Sequence, residues 1–63
     1  MPLAQIYMIE GRTEEQKRAV IEKVTQALHD AVGAPIPTIR VCIIEMPSAH
    51  WGIGGVSAKE LGR

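Results

Sequence analysis

The residue with the most direct route to chemistry is Pro2, which carries the free amino terminus once the initiator Met1 is removed. An ordinary α-amino group has a pKa of about 7.7 to 8.0, and burial or neighbouring cations lower it by disfavouring the charged form. Such an amine is a base poised near neutral pH, which is what proton transfer at carbon requires. Pro2 also fits a plain structural role, because proline is tolerated at the start of an edge strand.

Two arginines lie where their guanidinium groups could bind an anion. Arg12 is in a turn directly before a helical pattern, and Arg40 is flanked by Ile39 and Val41 in a strand pattern, where an unpaired charge is costly. The planar guanidinium donates two parallel hydrogen bonds to a carboxylate, so both residues are candidates for binding one. The alternatives are a solvated turn residue for Arg12 and, for Arg40, an ion pair between subunits or an exposed strand position.

The third candidate group is the aromatic side chain of Trp51, which precedes a glycine-rich segment at 52–55. It could form the apolar wall of a pocket beside the arginines, or pack at a subunit interface. The glycine-rich segment lacks the Lys-Ser/Thr of a phosphate-binding loop and opens no long helix, so it predicts no nucleotide site. His29, His50 and the single cysteine, Cys42, form no ligand cluster along the chain, so no zinc site is expected.

Periodicity along the chain predicts the elements that must hold these residues. Leu3 to Ile9 carries apolar side chains on both faces of an alternating pattern, which favours a strand covered on both sides. Thr13, with Gln16 three residues later, forms a capping box, and apolar residues at spacings of three and four then predict a helix that stops at Gly33. Thr38 to Met46 is rich in Ile and Val and predicts the second strand.

The fold class predicted by this order is α/β, as a β-α-β unit followed by a short C-terminal β-hairpin. A right-handed crossover makes the two strands of the unit parallel. Residues 51–56 predict a tight hairpin or a bulged strand, and Ser57 is placed to cap a short final helical turn through Leu61. Two strands and one helix leave sheet edges and one sheet face uncovered, so we expect oligomerisation through the sheets.

Composition limits the classes of protein to which the chain can belong. Its 63 residues predict a single domain at 1–63, with 46% hydrophobic side chains and only one cysteine, so an intrachain disulfide cannot form. A chain this small usually needs stability from beyond its own core, from a disulfide, a metal ion or oligomerisation. Burial between subunits is the source that remains. The formal net charge of zero predicts no partner among nucleic acids or membranes. Neither a signal peptide nor a membrane span is visible, which together with the free thiol predicts a cytoplasmic protein.

Short segments spread over the whole chain form one ordered pattern. They are Pro2, Ala4-Gln5-Ile6, Glu10-Gly11-Arg12-Thr13, Glu15-Gln16-Lys17, Arg40-Val41, Glu45-Met46 and Trp51-Gly52-Ile53-Gly54-Gly55. Each segment is weak alone, but all of them in this order, in a chain of this length, resemble the 4-oxalocrotonate tautomerase family without gaps. The resemblance implies the tautomerase fold and assembly as a hexamer, a trimer of dimers, whose active sites are built from several subunits.

The resemblance also implies a role for each candidate residue. Pro2 is the base that carries a proton between oxygen and carbon, and Arg40 binds a carboxylate and the developing oxyanion. Arg12, contributed by another subunit, holds the distal carboxylate, and Trp51 stands where the family usually has Phe in an apolar pocket wall. The implied reaction is ketonisation of 2-hydroxymuconate, a dicarboxylate enol, to 2-oxo-3-hexenedioate in aromatic-compound degradation, with no metal or organic cofactor.

Three alternatives stay open at this point. The same scaffold could act on another enol, such as phenylpyruvate or a substituted 2-hydroxymuconate, and the size of Trp51 bears on that choice. A non-catalytic oligomeric binding protein would use Pro2 only as a strand residue and would retain Met1. A ribbon-helix-helix DNA-binding protein is also short and dimeric, but zero net charge and a single long helix argue against it.

Overall fold

A computed structural model describes all residues, 1–63, and has the predicted β-α-β unit followed by a hairpin. The elements are β1 (Leu3–Ile9), α1 (Glu14–Val32), β2 (Arg40–Met46), β3 (Gly52–Ile53) and β4 (Val56–Ser57). Strands β1 and β2 are parallel, in a register that runs from Leu3 opposite Arg40 to Ile9 opposite Met46. The predicted fold class is therefore confirmed, and the two strands begin at one end of the sheet and finish at the other.

Helix α1 begins and ends where the sequence predicts. The Thr13 side chain accepts a hydrogen bond from the Gln16 backbone N–H at 3.1 Å, and the Gln16 side chain accepts one from the Thr13 N–H at 2.9 Å. This reciprocal capping box satisfies two donors that the first turn leaves without helical partners. At the other end Gly33 adopts the left-handed conformation, and its N–H bonds the His29 carbonyl oxygen. The start of α1 is therefore fixed immediately after Arg12.

The second strand is shorter than predicted, because it begins at Arg40 and not at Thr38. A short 3₁₀ turn occupies Ile36–Thr38, with a proline at its start. The backbone N–H and the hydroxyl of Thr38 both donate to the Pro35 carbonyl oxygen, at 2.9 and 2.7 Å. A residue that closes a turn in this way is not available to the strand ladder. Arg40 is therefore the first residue of β2.

The C-terminal segment forms the predicted hairpin, in which a two-residue turn joins β3 and β4. Gly54 and Gly55 both have positive φ, 61° and 88°, which is the conformation that a type I′ turn requires at both central positions. After the hairpin, the Ser57 hydroxyl accepts from the Glu60 N–H at 3.2 Å, so the predicted cap forms. The residues it caps form hydrogen-bonded turns and no regular helix. The Ala58 N–H donates to the Trp51 carbonyl oxygen at 2.7 Å, which fixes the backbone on which the tryptophan stands.

The sheet has one covered face and one open face. Ala4, Ile6 and Met8 of β1 are half-buried on the side of α1, whereas Leu3 and Tyr7 point away and are 59% and 54% exposed. Arg40 and Cys42 of β2 share this open face, because they lie opposite Leu3 and Gln5 in the parallel register. Only 2 of the 63 residues, Ile39 and Ala58, are buried. The isolated chain therefore has almost no fully buried core and leaves several large apolar side chains exposed, as expected of a chain that packs against other subunits.

Candidate active site

Pro2 and Arg40 lie together at the end of the sheet where both strands begin. The Arg40 backbone N–H donates to the Pro2 carbonyl oxygen at 3.0 Å, extending the ladder by one bond before the first strand pair. Pro2 itself is half-buried, whereas the Arg40 side chain is exposed on the open face. The fold thus holds the candidate base and a guanidinium on neighbouring strand ends.

The Arg40 guanidinium is oriented by backbone carbonyl groups. Its Nη1 donates to the Pro37 oxygen at 2.8 Å and approaches the Ile39 oxygen at 3.4 Å. The chain has one ion pair, Lys17 with Glu45, so no carboxylate of the same chain neutralises Arg40. A guanidinium has five N–H donors, and most of them remain for a carboxylate or an oxyanion. Within one chain Arg40 is an exposed strand residue, which was one of the alternatives from sequence.

Arg12 and Trp51 lie together at the opposite end of the sheet. Both line a cleft of about 300 Å³ with Tyr7, Ile53 and Arg63 among its other walls. The Arg12 Nη1 donates to the carbonyl oxygen of Ile9, the last residue of β1, at 3.3 Å. Trp51 is half-buried on the backbone leading into the hairpin. The cleft therefore places an aromatic wall beside a cation, which suits a substrate with an apolar body and a charged end.

The four sequence-predicted residues do not meet within one chain. Strand β1 separates the Pro2–Arg40 end from the Arg12–Trp51 end, and its seven residues span about 23 Å at 3.3 Å per residue. A substrate of six carbons cannot contact both ends of the same strand. The site implied by the resemblance would therefore need the Pro2 end of one chain to approach the Arg12 end of another.

Two further features of the site region were missed by the sequence analysis. Lys59 and Arg63 line an adjoining cleft with Arg12 and Glu10, so the surface around Arg12 is cationic although the chain is neutral overall. The ion pair between Lys17 and Glu45 is the other feature. A usable signal existed for the pair, since Lys17 lies three residues before Val20 of the apolar stripe and Glu45 alternates with Ile43 on the helix-facing side of β2. No comparable pattern marks Lys59 or Arg63.

No three side chains among His, Cys, Asp and Glu come close enough to hold a metal ion. No helix combines the length and the apolar character needed to cross a membrane.

Comparison with known proteins places this arrangement in a family. The family model described as tautomerase enzyme matches residues 2–61. A 2-hydroxymuconate tautomerase of Pseudomonas putida is 71% identical over 63 residues, covering 100% of both chains. Among solved structures, a 4-oxalocrotonate tautomerase isozyme from Methylibium petroleiphilum is 72% identical with a TM-score of 0.95, over 98% of this chain and 100% of that one. A heterohexameric 4-oxalocrotonate tautomerase from Chloroflexus aurantiacus J-10-fl is 39% identical, with a TM-score of 0.92 over 97% and 98% of the two chains.

These matches and the observed fold define a tautomerase, an isomerase that interconverts keto and enol forms by moving a proton. Within that class, the chain belongs to the 4-oxalocrotonate tautomerase family. The resemblance inferred from the short segments along the sequence is thereby confirmed. The non-catalytic and DNA-binding alternatives are not supported.

Proposed function

We propose that the chain is a 2-hydroxymuconate tautomerase, which ketonises this enol to 2-oxo-3-hexenedioate during the degradation of aromatic compounds. The observation that carries the proposal is the ungapped similarity to the Pseudomonas putida enzyme over both full lengths. The separation of the cations also supports it, because two guanidinium groups on different subunits can bind the two ends of a dicarboxylate. The lone free thiol of Cys42 suits a reducing compartment, so we place the enzyme in the cytoplasm.

In the proposed mechanism, Pro2 of the processed chain is the general base and no cofactor takes part. Its neutral amine receives the proton of the 2-hydroxyl group. The resulting dienolate then takes a proton from the ammonium at the carbon next to the distal carboxylate, which becomes the methylene group of the product. One proton leaves oxygen and one is added to carbon, so the amine is regenerated at each turnover.

The cations act on charge at different places in this reaction. Arg40 binds the carboxylate next to the enol and stabilises the negative charge that develops on the 2-oxygen. Arg12 of another subunit binds the distal carboxylate and thereby aligns the carbon that receives the proton. Trp51, which lies beside Arg12 and so comes from another subunit than Pro2, supplies an apolar wall that keeps water from the Pro2 amine and favours its neutral form. Its indole is larger than the family's usual phenyl ring, which leaves less room for substituents on the substrate.

We propose a homohexamer, a trimer of dimers, as the active assembly. The open sheet face and the separation of the candidate residues support an oligomer with shared sites. The heterohexameric relative from Chloroflexus aurantiacus supports the number of subunits, because its fold is the same over nearly the whole chain.

Analytical ultracentrifugation at micromolar concentration should show a species several times heavier than the 6.9 kDa chain. Cys42→Asp, which adds a charge in the middle of the open face, should shift the protein to lighter species and reduce activity in parallel. Lys23→Glu, a change on the exposed surface of α1, is the matched control. It should leave the sedimenting species and the activity unchanged. A folded, active monomer would contradict the shared site.

The substrate assignment is tested by comparing two enols on processed protein. A monocarboxylate such as the enol of phenylpyruvate lacks the partner for Arg12. One charge-assisted hydrogen-bonding partner contributes about 1.5–3 kcal/mol, so kcat/KM should be about 10- to 100-fold higher for 2-hydroxymuconate. The rate at which the enol absorbance is lost, measured over a range of substrate concentrations, gives kcat and KM for each enol. A preference for the monocarboxylate would favour the alternative substrate, and a rate equal to that in buffer would contradict enzymatic activity altogether.

A further inference from the structure

The one ion pair of the chain joins the helix to the sheet beneath it. Lys17 Nζ lies 2.9 Å from Glu45 Oε1, and the two side chains are only 28% and 26% exposed. Lys17 is in the second turn of α1, and Glu45 is next to the last residue of β2. The pair therefore spans the helix–sheet interface at the end of the sheet where Arg12 lies.

Backbone hydrogen bonds connect this ion pair to both ends of the turn that carries Arg12. On the helix side, the Lys17 N–H donates to the Thr13 carbonyl oxygen at 3.0 Å. On the sheet side, the Glu10 N–H donates to the carbonyl oxygen of Met46, which directly follows Glu45, at 2.9 Å. The turn, the first helical turn, the ion pair and the end of β2 thus form one closed ring of covalent and hydrogen-bonded links.

The turn has little else to hold it in place. Its Gly11 has φ of 131°, and a Cβ added there would meet no atom within 4 Å, so the surrounding space is open. Arg12 is exposed, and its side chain makes a single hydrogen bond, to the Ile9 oxygen. The position of the Arg12 backbone is therefore set chiefly by the two anchored ends of the turn.

We infer that Lys17 and Glu45 are positioning residues for substrate binding, because their ion pair holds the Arg12 turn where the guanidinium meets the distal carboxylate. The inference rests on the proposed function, since it takes the role of Arg12 from there. The hydrogen bond that Lys17 donates to the Glu45 carboxylate raises the pKa of Lys17 above its ordinary 10.5, and the charge of Glu14 acts in the same direction. Lys17 therefore stays protonated through the neutral range, in which Pro2 is expected to titrate.

The test is a set of charge-removing variants assayed on the dicarboxylate and the monocarboxylate enol. Lys17→Met keeps most of the alkyl stem and loses the charge, and Glu45→Gln keeps the shape. Each should raise KM for 2-hydroxymuconate about tenfold, because a misplacement of about 1 Å can cost about 100-fold and a loosened turn still lets Arg12 reach the carboxylate part of the time. The kcat for both enols and the KM for the monocarboxylate should change by less than about twofold. Lys17→Arg keeps the ion pair with Glu45, so its KM should equal that of the wild-type enzyme.

Arg18→Met is the matched control, because Arg18 is the neighbouring cation on α1 but is exposed and unpaired. Arg12→Ala and the double variant with Lys17→Met separate this inference from the proposed function. If Lys17 acts through Arg12, its removal has no further effect on KM once Arg12 is gone. Circular dichroism and sedimentation should show that each variant folds and assembles.

The outcomes distinguish the two claims. An unchanged KM in Lys17→Met and Glu45→Gln, with a raised KM in Arg12→Ala, would overturn the positioning role and leave the proposed function intact. Equal losses on both enols would also overturn it, because they would indicate a general structural role. An unchanged KM in Arg12→Ala would contradict the proposed binding of the distal carboxylate and remove the basis of the inference.

Discussion

Protein that retains Met1 is expected to lose nearly all tautomerase activity. A peptide bond from Met1 turns the Pro2 nitrogen into an amide, which has no basic lone pair and cannot accept a proton. A positioned general base contributes about 10²- to 10⁴-fold to rate, so kcat/KM should fall by a factor in this range. No other change at this position removes the base so completely while leaving every side chain in place.

The experiment compares processed and Met1-retained preparations whose state is established by intact mass. Sedimentation of both preparations is the control, because the extra residue before the start of β1 must not disturb assembly. Pro2→Ala, with its terminus processed, should give an intermediate activity, since it keeps an amine but a primary and more mobile one. Equal activity in the processed and unprocessed forms would show that Pro2 is not the base.

The pH profile of the processed enzyme follows from the same chemistry. Only the deprotonated amine is a base, so kcat/KM should rise with pH through the pKa of the free enzyme's amine. In the proposed site, burial and the guanidinium groups of Arg40 and of another subunit's Arg12 disfavour the protonated form. The midpoint of the rise should therefore lie below the ordinary α-amino value of about 7.7 to 8.0.

The elements with local signals could be predicted from the sequence. The capping box at Thr13 and the left-handed Gly33 fix the two ends of α1, and Gly54-Gly55 fixes the hairpin turn. These signals are contained in a few adjacent residues, so they hold whatever the rest of the molecule does. The start of β2 was wrong by two residues because the 3₁₀ turn at Ile36–Thr38 competes with the strand, and β propensity alone does not reveal that competition.

The candidate site could be predicted only as a set of residue types. The order of the short segments along the sequence assigned Pro2, Arg12 and Arg40 to one site. The distances between these residues depend on strand register and on other subunits. The structure shows that one chain pairs Pro2 with Arg40 and Arg12 with Trp51 at opposite ends of the sheet. The link from Lys17 to Glu45 joins residues 28 apart in sequence, so the local patterns place each residue at the helix–sheet interface but do not pair them.

Arg40→Ala is expected to cause the second-largest loss, and the loss should fall on kcat. In the proposed mechanism, Arg40 stabilises charge that develops on the 2-oxygen only as the reaction proceeds. Removing one donor to such an oxyanion costs about 10²- to 10³-fold in kcat. Arg40→Lys keeps a positive charge but loses the planar fork, so it should recover only part of the rate.

Arg12→Ala should differ from Arg40→Ala in the constant that it changes. Its partner, the distal carboxylate, is charged in the free substrate as well as in the transition state, so its removal should chiefly raise KM. Losing this partner at about 1.5–3 kcal/mol predicts a rise of about 10- to 100-fold. Steady-state kinetics on 2-hydroxymuconate measures both constants in both variants.

The Arg40 variants need their own structural control, because Arg40 Nη1 also bonds the Pro37 carbonyl oxygen. Loss of that bond could loosen the 3₁₀ turn before β2 and shift Pro2, which would lower kcat for a different reason. The pH profile separates the two causes. Arg40→Lys keeps the positive charge near Pro2, so a shifted midpoint of kcat/KM in that variant would indicate a displaced Pro2 and not the loss of a cation. An Arg40→Ala enzyme with wild-type kcat, or one whose whole defect is in KM, would contradict the assignment of Arg40 to the oxyanion.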